Sequence, residues 1–419
     1  MKRIILILIT LFISIALTAS VIYAIVISRD DYYIDQFDQL IPRLMEQYKV
    51  PGVAVSLVQD EVVWSKGYGL ADQEQSVPVA ADTVFQAASI SKAVTSWGVM
   101  HVVEKGLLEL DAPVERYLTR WHLPPSSFDA SGVTIRRLLS HNAGLSVSGY
   151  PGYWLPGVKL PSLEESLSGK NGDGEELRII MEPGTGYSYS GGGFTLLQLV
   201  IEEVTGEAFS SYMQREVLDP LGMNHSSFEW RSDLRPKTAI AYDEGGSPVP
   251  NYLYTEQAAA GLYTTAADLA RFVAAEMPGP NGELAGRGVL APETLDLMSE
   301  PLFPLQTGVS QSLGQSIVTI PDGSKVLQHW GGNAGWQGFI AANPRWGMGF
   351  VILTNSDNGG RLNWDTMLKL FVTLFIGKIL WILIPVLVLV ILICIFFLYK
   401  SRASQRQLWH RRHEIQGAP

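Results

Sequence analysis

The sequence predicts an α/β (α+β) fold. A mostly antiparallel five-stranded sheet, built from both chain ends and flanked by helices, surrounds an all-helical insertion, with one transmembrane helix at each terminus. Three observations carry this expectation. A β-rich stretch at positions 53–64 has its counterpart only near the other end, at 316–353. The sequence between reads as helices and long loops. Two long apolar runs, at 4–28 and 379–399, bracket everything else.

The first run follows Met1-Lys2-Arg3 and carries no charge before Arg29. At about 1.5 Å per residue it exceeds a hydrocarbon core of roughly 30 Å. A secretory signal has a shorter apolar core, of about 7 to 15 residues. Residues 1–28 are therefore expected to be an uncleaved anchor, with Thr18-Ala19-Ser20 keeping a cleaved signal sequence as the alternative. Next, Ile34, Phe37, Leu40, Leu44, Met45 and Tyr48 recur at helical spacing around an awkward Pro42. Residues 53–58 and 62–64, joined by the polar turn Asp60-Glu61, read as a hairpin.

The Gly- and Pro-rich stretch 148–186 reads as a long surface loop, and Thr265-x-x-Asp268 as a helix-start capping box. Strands return at 316–320, 325–328, 337–341 and 349–353, punctuated by Pro-Asp-Gly, Gly-Gly-Asn and Asn-Pro-Arg. The second apolar run is nearly all Ile, Leu, Val and Phe, and its Pro385 is tolerable in a transmembrane helix. The expected organisation is a terminal anchor or signal at 1–28, one catalytic domain at 34–365, a transmembrane helix at 379–399 and a basic cytoplasmic tail at 400–419.

Charge sets orientation and excludes partners. Lys2 and Arg3 precede the first run, and Lys400, Arg402, Arg406, Arg411 and Arg412 follow the second. Cytoplasmic flanks carry such cations, so both termini are expected inside the cytoplasmic (inner) membrane and the central domain outside it. The chain carries a formal charge of −10, and of its carboxylates only Glu414 lies beyond the two runs, so the central domain is more acidic still. That argues against nucleic acid as a partner and leaves the lipid bilayer, through the two anchors, and a small-molecule or peptide substrate. The single cysteine, Cys394, lies inside the second run, so the central domain has neither a disulfide nor a thiol nucleophile.

Several chemistries lack their residues. There is no Gly-x-Ser-x-Gly elbow, no His-Glu-x-x-His, no paired cysteines and no P-loop, so neither a metal nor an organic cofactor is implied. What remains is Ser89-Ile90-Ser91-Lys92, followed by a helical pattern that runs to a stop at Gly106. Positions i and i+3 share a helix face, so the Lys92 side chain can reach the Ser89 hydroxyl. A serine hydroxyl needs a neighbouring base, and a desolvated lysine can serve as one or assist it. The helix N-terminus adds a positive dipole end where an oxyanion would form.

Downstream, Tyr187-Ser188-Tyr189-Ser190 and His329-Trp330-Gly331-Gly332 stand in the order and at the separations of further active-site motifs. Between them lie 138–145 (Leu-Leu-Ser-His-Asn-Ala-Gly-Leu), 220–223 (Pro-Leu-Gly-Met) and 260–269. In this combination the chain resembles the serine β-lactamase-like, penicillin-recognising family that includes class C β-lactamases, DD-peptidases, penicillin-binding proteins and esterases. The resemblance implies Ser89 as nucleophile, Lys92 and Tyr189 as proton-managing catalytic residues, and His329 and Gly331 as a substrate-binding wall. It also implies that the main-chain N–H groups of Ser89 and Gly332 form an oxyanion hole. Gly191, also in the substrate-binding set, stands where the family's Tyr-x-Asn motif carries an amide. Trp330 and His329 replace the hydroxyl and fixed cation of Lys-Thr-Gly. The expected function is a membrane-anchored, outward-facing serine hydrolase acting on D-amino acid peptides or small esters and amides. The alternatives are a β-lactamase proper and a catalytically weak cell-wall or antibiotic sensor or scaffold.

Overall fold

A computed structural model describes residues 30–370 except 60, 155–158 and 171–173, together with 391, 395, 396 and 400. The two apolar runs expected to cross a membrane fall outside these residues, save for positions 391, 395 and 396 in the second. Among the described residues no helix is long and apolar enough to span a bilayer. The chain divides into one unit at Leu40–Trp364 and a second made of Met1–Gln39 and Asp365–Pro419. The helix expected around residues 34–48 forms as α1 (Asp30–Tyr48), with Pro42 inside it.

One sheet organises the Leu40–Trp364 unit. Its strands are β1 (Gly52–Gln59), β2 (Glu61–Asp72), β3 (Val77–Pro78), β4 (Phe303–Gln306), β5 (Val309–Gln311), β6 (Ser316–Thr319), β7 (Lys325–Asn333), β8 (Trp336–Asn343) and β9 (Met348–Thr354). They lie in the order β3-β2-β1-β9-β8-β7-β6-β5-β4, and all the pairings are antiparallel. Strand β1 joins the two ends of the chain by pairing with β2 on one side and β9 on the other, Val53 opposite both Tyr68 and Thr354. It is buried on both faces, and the hydroxyl of its one buried polar residue, Ser56, bonds Ser65 Oγ at 2.7 Å.

The sheet corrects the five-stranded expectation: it has nine strands. The additional short ones carry almost no hydrophobic signal. Both residues of β3 are exposed, and β4 is largely exposed, with Pro304 inside it and Gly308 at φ +76 in the turn that follows. Such edge segments are short and polar because an exposed edge must avoid further pairing. The insertion is also not all helical. The ladders Phe85–Gln86 with Tyr263–Thr264 and Ala241–Tyr242 with Pro248–Val249 lie within it.

The insertion contains α2 (Ile90–Glu104), α3 (Ile135–Leu139), α4 (Leu163–Leu167), α5 (Gly191–Thr205), α6 (Phe209–Met213), α7 (Gln257–Ala260), α8 (Ala266–Ala275) and α9 (Pro292–Met298). In the long loop, α4 starts with a capping box in which Ser162 and Glu165 bond each other's backbone N–H groups. Before α8 only half of the expected box forms. Thr265 Oγ1 accepts the Asp268 N–H at 3.1 Å, while the Asp268 carboxylate goes to His225 N, Ser226 Oγ and Arg271.

Helix α2 is apolar on nearly every side, the pattern of a helix buried among others. Trp97 packs 5.1 Å from Phe272 of α8, and a Cβ at Gly98 would lie 2.2 Å from Met213 Sδ of α6. Ile90 meets the sheet at Gly338, where a Cβ would come within 2.9 Å of Ile90 Cδ1. The helix stops at Gly106, whose φ of +72 suits glycine. Trp97→Ala is expected to lower unfolding free energy by about 3–5 kcal/mol through the cavity it leaves. Leu284→Ala, at a position 69% exposed, should leave it unchanged; denaturant titration compares the two.

Candidate active site

Ser89 opens α2 directly after a strained turn. Ala88 has φ +49, a left-handed conformation costly for a residue with a Cβ. Ser89 itself is helical, at φ −64 and ψ −11, and its hydroxyl caps no backbone N–H. A serine at a helix start normally spends its oxygen on the second or third amide. Here the backbone geometry leaves Oγ available for another partner.

That partner is Lys92, whose Nζ donates to Ser89 Oγ at 3.1 Å and to the Ala259 carbonyl of α7 at 2.7 Å. Lys92 is only 2% exposed, and no carboxylate among the described residues forms an ion pair with it. The ammonium also lies over two rings, 5.0 Å from the centroid of Tyr189 and 5.8 Å from that of Phe194. Stabilisation by ring faces is greatest where water is excluded. The structure thus brings Ser89, Lys92 and Tyr189 together through the lysine.

The two serines beside Tyr189 serve the scaffold. Ser188 Oγ donates to the Leu145 carbonyl at 2.9 Å, whereas Ser190 Oγ caps α5 by accepting the Gly193 N–H at 2.9 Å and donates to the Ser146 carbonyl.

Strand β7 forms the opposite wall. Side chains alternate along a strand, so His329, Gly331 and Asn333 share the face turned toward α2. A Cβ at Gly331 would lie 2.3 Å from the Ala87 carbonyl, so only glycine lets the strand approach the turn that carries Ser89. Gly332 is the next residue and is exposed. On its outer side β7 pairs with β6 only as far as Gln328 opposite Ser316, leaving 329–333 without a strand partner there among the described residues. Trp330 points to the other sheet face, 4.3 Å from Phe339 and 5.9 Å from Trp364. The tryptophan that replaces the family hydroxyl therefore packs against the back of the sheet.

His329 is 8% exposed, and its Nδ1 bonds the Trp330 carbonyl at 2.7 Å. A carbonyl only accepts, so Nδ1 carries the proton and Nε2 is the acceptor of the neutral ring. Burial, with the Lys92 charge second, pushes its pKa down to about 4. The group standing in the family's cation position is uncharged at neutral pH.

Gly191 sits apart from this cluster, at the first position of α5. Its N–H donates to the Ser148 carbonyl at 3.2 Å, and a Cβ would lie 3.1 Å from that oxygen and 3.5 Å from Gly149 Cα. Its φ is not in the left-handed region; close approach of the 148–149 segment accounts for the glycine. A Cβ at Gly192 would similarly meet Leu177 Cδ1 at 2.5 Å.

Sequence reasoning missed a bonded pair of polar side chains, Asn333 and Gln86, next to the 259–260 segment that receives Lys92. Asn333 Nδ2 donates to Gln86 Oε1 at 3.1 Å and to the Ala260 carbonyl at 3.4 Å, while Gln86 Nε2 reaches Asn251, the Tyr252 carbonyl and Tyr263. Asn333 had one signal, its place directly after Gly331-Gly332 on the same strand face as His329. Gln86 had none, because its partners are distant in sequence.

The profile of the family described as Beta-lactamase matches residues 37–370. The chain is 24% identical over 342 residues to Protein flp of Staphylococcus aureus (strain MRSA252), covering 76% of this chain and 62% of that protein. It is 32% identical over 226 residues to Esterase EstB of Burkholderia gladioli, covering 50% of this chain and 53% of that one. It thus spans less than two thirds of the length of either relative. Among solved structures, the octameric penicillin-binding protein homologue from Pyrococcus abyssi superposes with a TM-score of 0.69 at 26% identity, covering 81% of this chain and 77% of that one.

The depressed pKa of His329 makes stability depend on pH. The unfolded state takes up its proton near pH 6.5, whereas the folded state does so only near pH 4. Stability present above pH 6.5 is therefore lost as pH falls toward 4, by at most on the order of 2–4 kcal/mol. Glu276, raised to about 8 by burial, gives an opposite slope, since its stabilising proton is lost as pH rises toward 8. The histidine contribution is isolated by comparing wild type with His329→Asn, which keeps a donor toward the Trp330 carbonyl. Melting temperatures from pH 4 to 7.5 should fall less steeply toward acid in the variant.

Proposed function

This chain belongs to the Beta-lactamase family, and we propose from that premise that it is a serine hydrolase working through an acyl-enzyme on Ser89. The observation that carries the reading is the buried Lys92 Nζ bonded to Ser89 Oγ at 3.1 Å beneath the Tyr189 ring. Ser89 Oγ attacks a substrate carbonyl while its hydroxyl proton passes to Lys92 Nζ. Such a positioned base contributes roughly 10²–10⁴-fold. The Tyr189 phenol delivers a proton to the leaving group as its bond to the carbonyl carbon breaks. Water then attacks the ester, and the reverse proton path restores the Ser89 hydroxyl. The N–H groups of Ser89 and Gly332 hold the oxyanion, an arrangement supported by the close approach of β7 at Gly331.

The substrates in this reading are D-amino acid peptides or small esters and amides. Similarity to an esterase and to a penicillin-binding protein homologue supports both classes. The neutral His329 supports uncharged esters and amides in particular, because no fixed cation stands there to hold a substrate carboxylate. A β-lactamase proper and a weakly turning-over sensor are the competing readings. The apolar runs at 4–28 and 379–399, with cations on their outer flanks, support anchoring in the cytoplasmic membrane with the domain facing outward.

A fluorophosphonate or a fluorescent penicillin is expected to label the protein at Ser89, and Ser89→Ala to abolish labelling. Peptide mapping that places the adduct on Ser188 or Ser190 would sink the assignment, and stoichiometric labelling with no turnover of any ester or amide would favour the sensor. Gly191→Asn should leave single-turnover acylation unchanged or slower, since the new Cβ meets the Ser148 carbonyl; a rate increase would show that an amide is accommodated and useful there. Protease added to intact spheroplasts should cut the central domain and spare a C-terminal tag, and loss of the tag would reverse the proposed topology.

A further inference from the structure

Tyr189 is held from both sides by one residue outside the acylation centre. The Ser188 N–H donates to the His141 carbonyl at 2.8 Å, and the Ser190 N–H donates to His141 Nδ1 at 3.1 Å. Between these bonds the imidazole lies 4.3 Å from the Tyr189 ring, tilted by 36°, with Phe194 at 5.2 Å and Tyr187 edge-on at 6.0 Å. One side chain thus contacts the tyrosine ring, the amide that follows the tyrosine, and the aromatic ring that shares the Lys92 ammonium.

Local physics does not explain a histidine at this position. His141 follows the end of α3 with φ +54, where glycine or asparagine is the usual choice and another residue is strained. It is only 2% exposed, so an apolar ring would fill the space without burying polar atoms. An amide N–H only donates, so Nδ1 must be the acceptor and Nε2 carries the proton of the neutral ring. That Nε2 is buried and has no hydrogen-bond partner among the described residues, which is itself unfavourable. Strain and an unpartnered donor are offset only by what the ring and Nδ1 do for Tyr189. Burial, followed by the Lys92 charge, keeps the ring neutral and Nδ1 free to accept.

We infer that His141 is the positioning residue of the acylation step: as a neutral Nδ1 acceptor stacked on Tyr189, it fixes the 188–190 segment so that the phenol stays beside the Lys92 ammonium. The inference rests on the reading of Ser89, Lys92 and Tyr189 as the acylation centre. His141→Asn suits the left-handed backbone and offers Oδ1 where Nδ1 stands. His141→Phe keeps an aromatic ring and removes the acceptor, and His141→Gly relieves the backbone and removes both.

The test is single-turnover acylation of the full-length protein by a chromogenic ester, with folded fraction measured by melting. The Phe and Gly variants should acylate about tenfold more slowly at saturating ester, roughly the effect of one lost hydrogen bond, with half-saturation within about twofold of wild type. The Asn variant should recover most of the rate. A purely structural role predicts the reverse order, with Phe best tolerated and rates following melting temperature. Wild-type rates in the Phe variant would overturn the inference, as would an Asn variant no faster than Gly at equal folded fraction. If Phe does not fold, the Asn and Gly comparison decides alone. Wild type and Ser89→Ala are measured first, because equal rates in those two would remove the acylation reading itself.

Discussion

The arrangement of this domain depends on one buried ammonium. A lysine removed from water needs fixed acceptors, and an unpaired charge in a protein interior is among the costliest groups to hold. Lys92 meets that demand with a hydroxyl, a main-chain carbonyl and two aromatic faces. These come from α2 itself, from α7, from the 187–190 segment and from α5, elements far apart in the chain. Two neighbours on α2 strengthen the attachment to α7 and the residues just after it. Thr95 Oγ1 donates to the Ala258 carbonyl at 3.1 Å, and Ser91 Oγ accepts the Leu262 N–H at 3.0 Å. Three α2 side chains therefore bond Ala258, Ala259 and Leu262, and the carbonyl that receives Lys92 Nζ is held in place.

The sheet supplies the other constraint. Strand β7 approaches the turn at Ala87 and Ala88 closely, and Gly331 permits that approach. The β7 residues that share the face of His329 at this end of the strand, Gly331 and Asn333, are uncharged. His329 and His141 both lie within the electrostatic reach of the lysine, and both are held neutral by burial and by that charge. Each has one nitrogen committed to the backbone, in opposite tautomeric roles. At His329 Nδ1 donates, and at His141 Nδ1 accepts. Neutral histidines with fixed tautomers add hydrogen-bonding direction without adding charge.

Much of this was legible in the residues, for definable reasons. The i, i+3 spacing of Ser89 and Lys92 on an apolar helix with a glycine stop requires only local geometry. Strands β8 and β9 are long and buried, so their hydrophobic runs stand out, whereas β4 hides behind Pro304 and exposed side chains. The direction of Trp330 follows from its alternation with His329, yet the motif resemblance alone suggested a substituted contact in the site. Gly191 looked like a missing amide, but the space beside it is filled by the Ser148 carbonyl, a long-range contact without a local signature. His141 stood within the 138–145 motif of the resemblance, but nothing local tied it to Tyr189. Its positive φ, its ring neighbours and its two bonds to the tyrosine segment arise only once α3 and α5 are packed together.

The central claim is that the buried Lys92 makes Ser89 a nucleophile. The most direct test is intact-protein mass spectrometry of acyl-adduct formation on wild type and Lys92→Ala, at equal folded fraction and over a range of pH. The account predicts an adduct on the wild type and a loss of acylation rate of about 10²-fold or more in the variant, the range of a removed general base. Acylation of Ser89 at the wild-type rate without the lysine would contradict it.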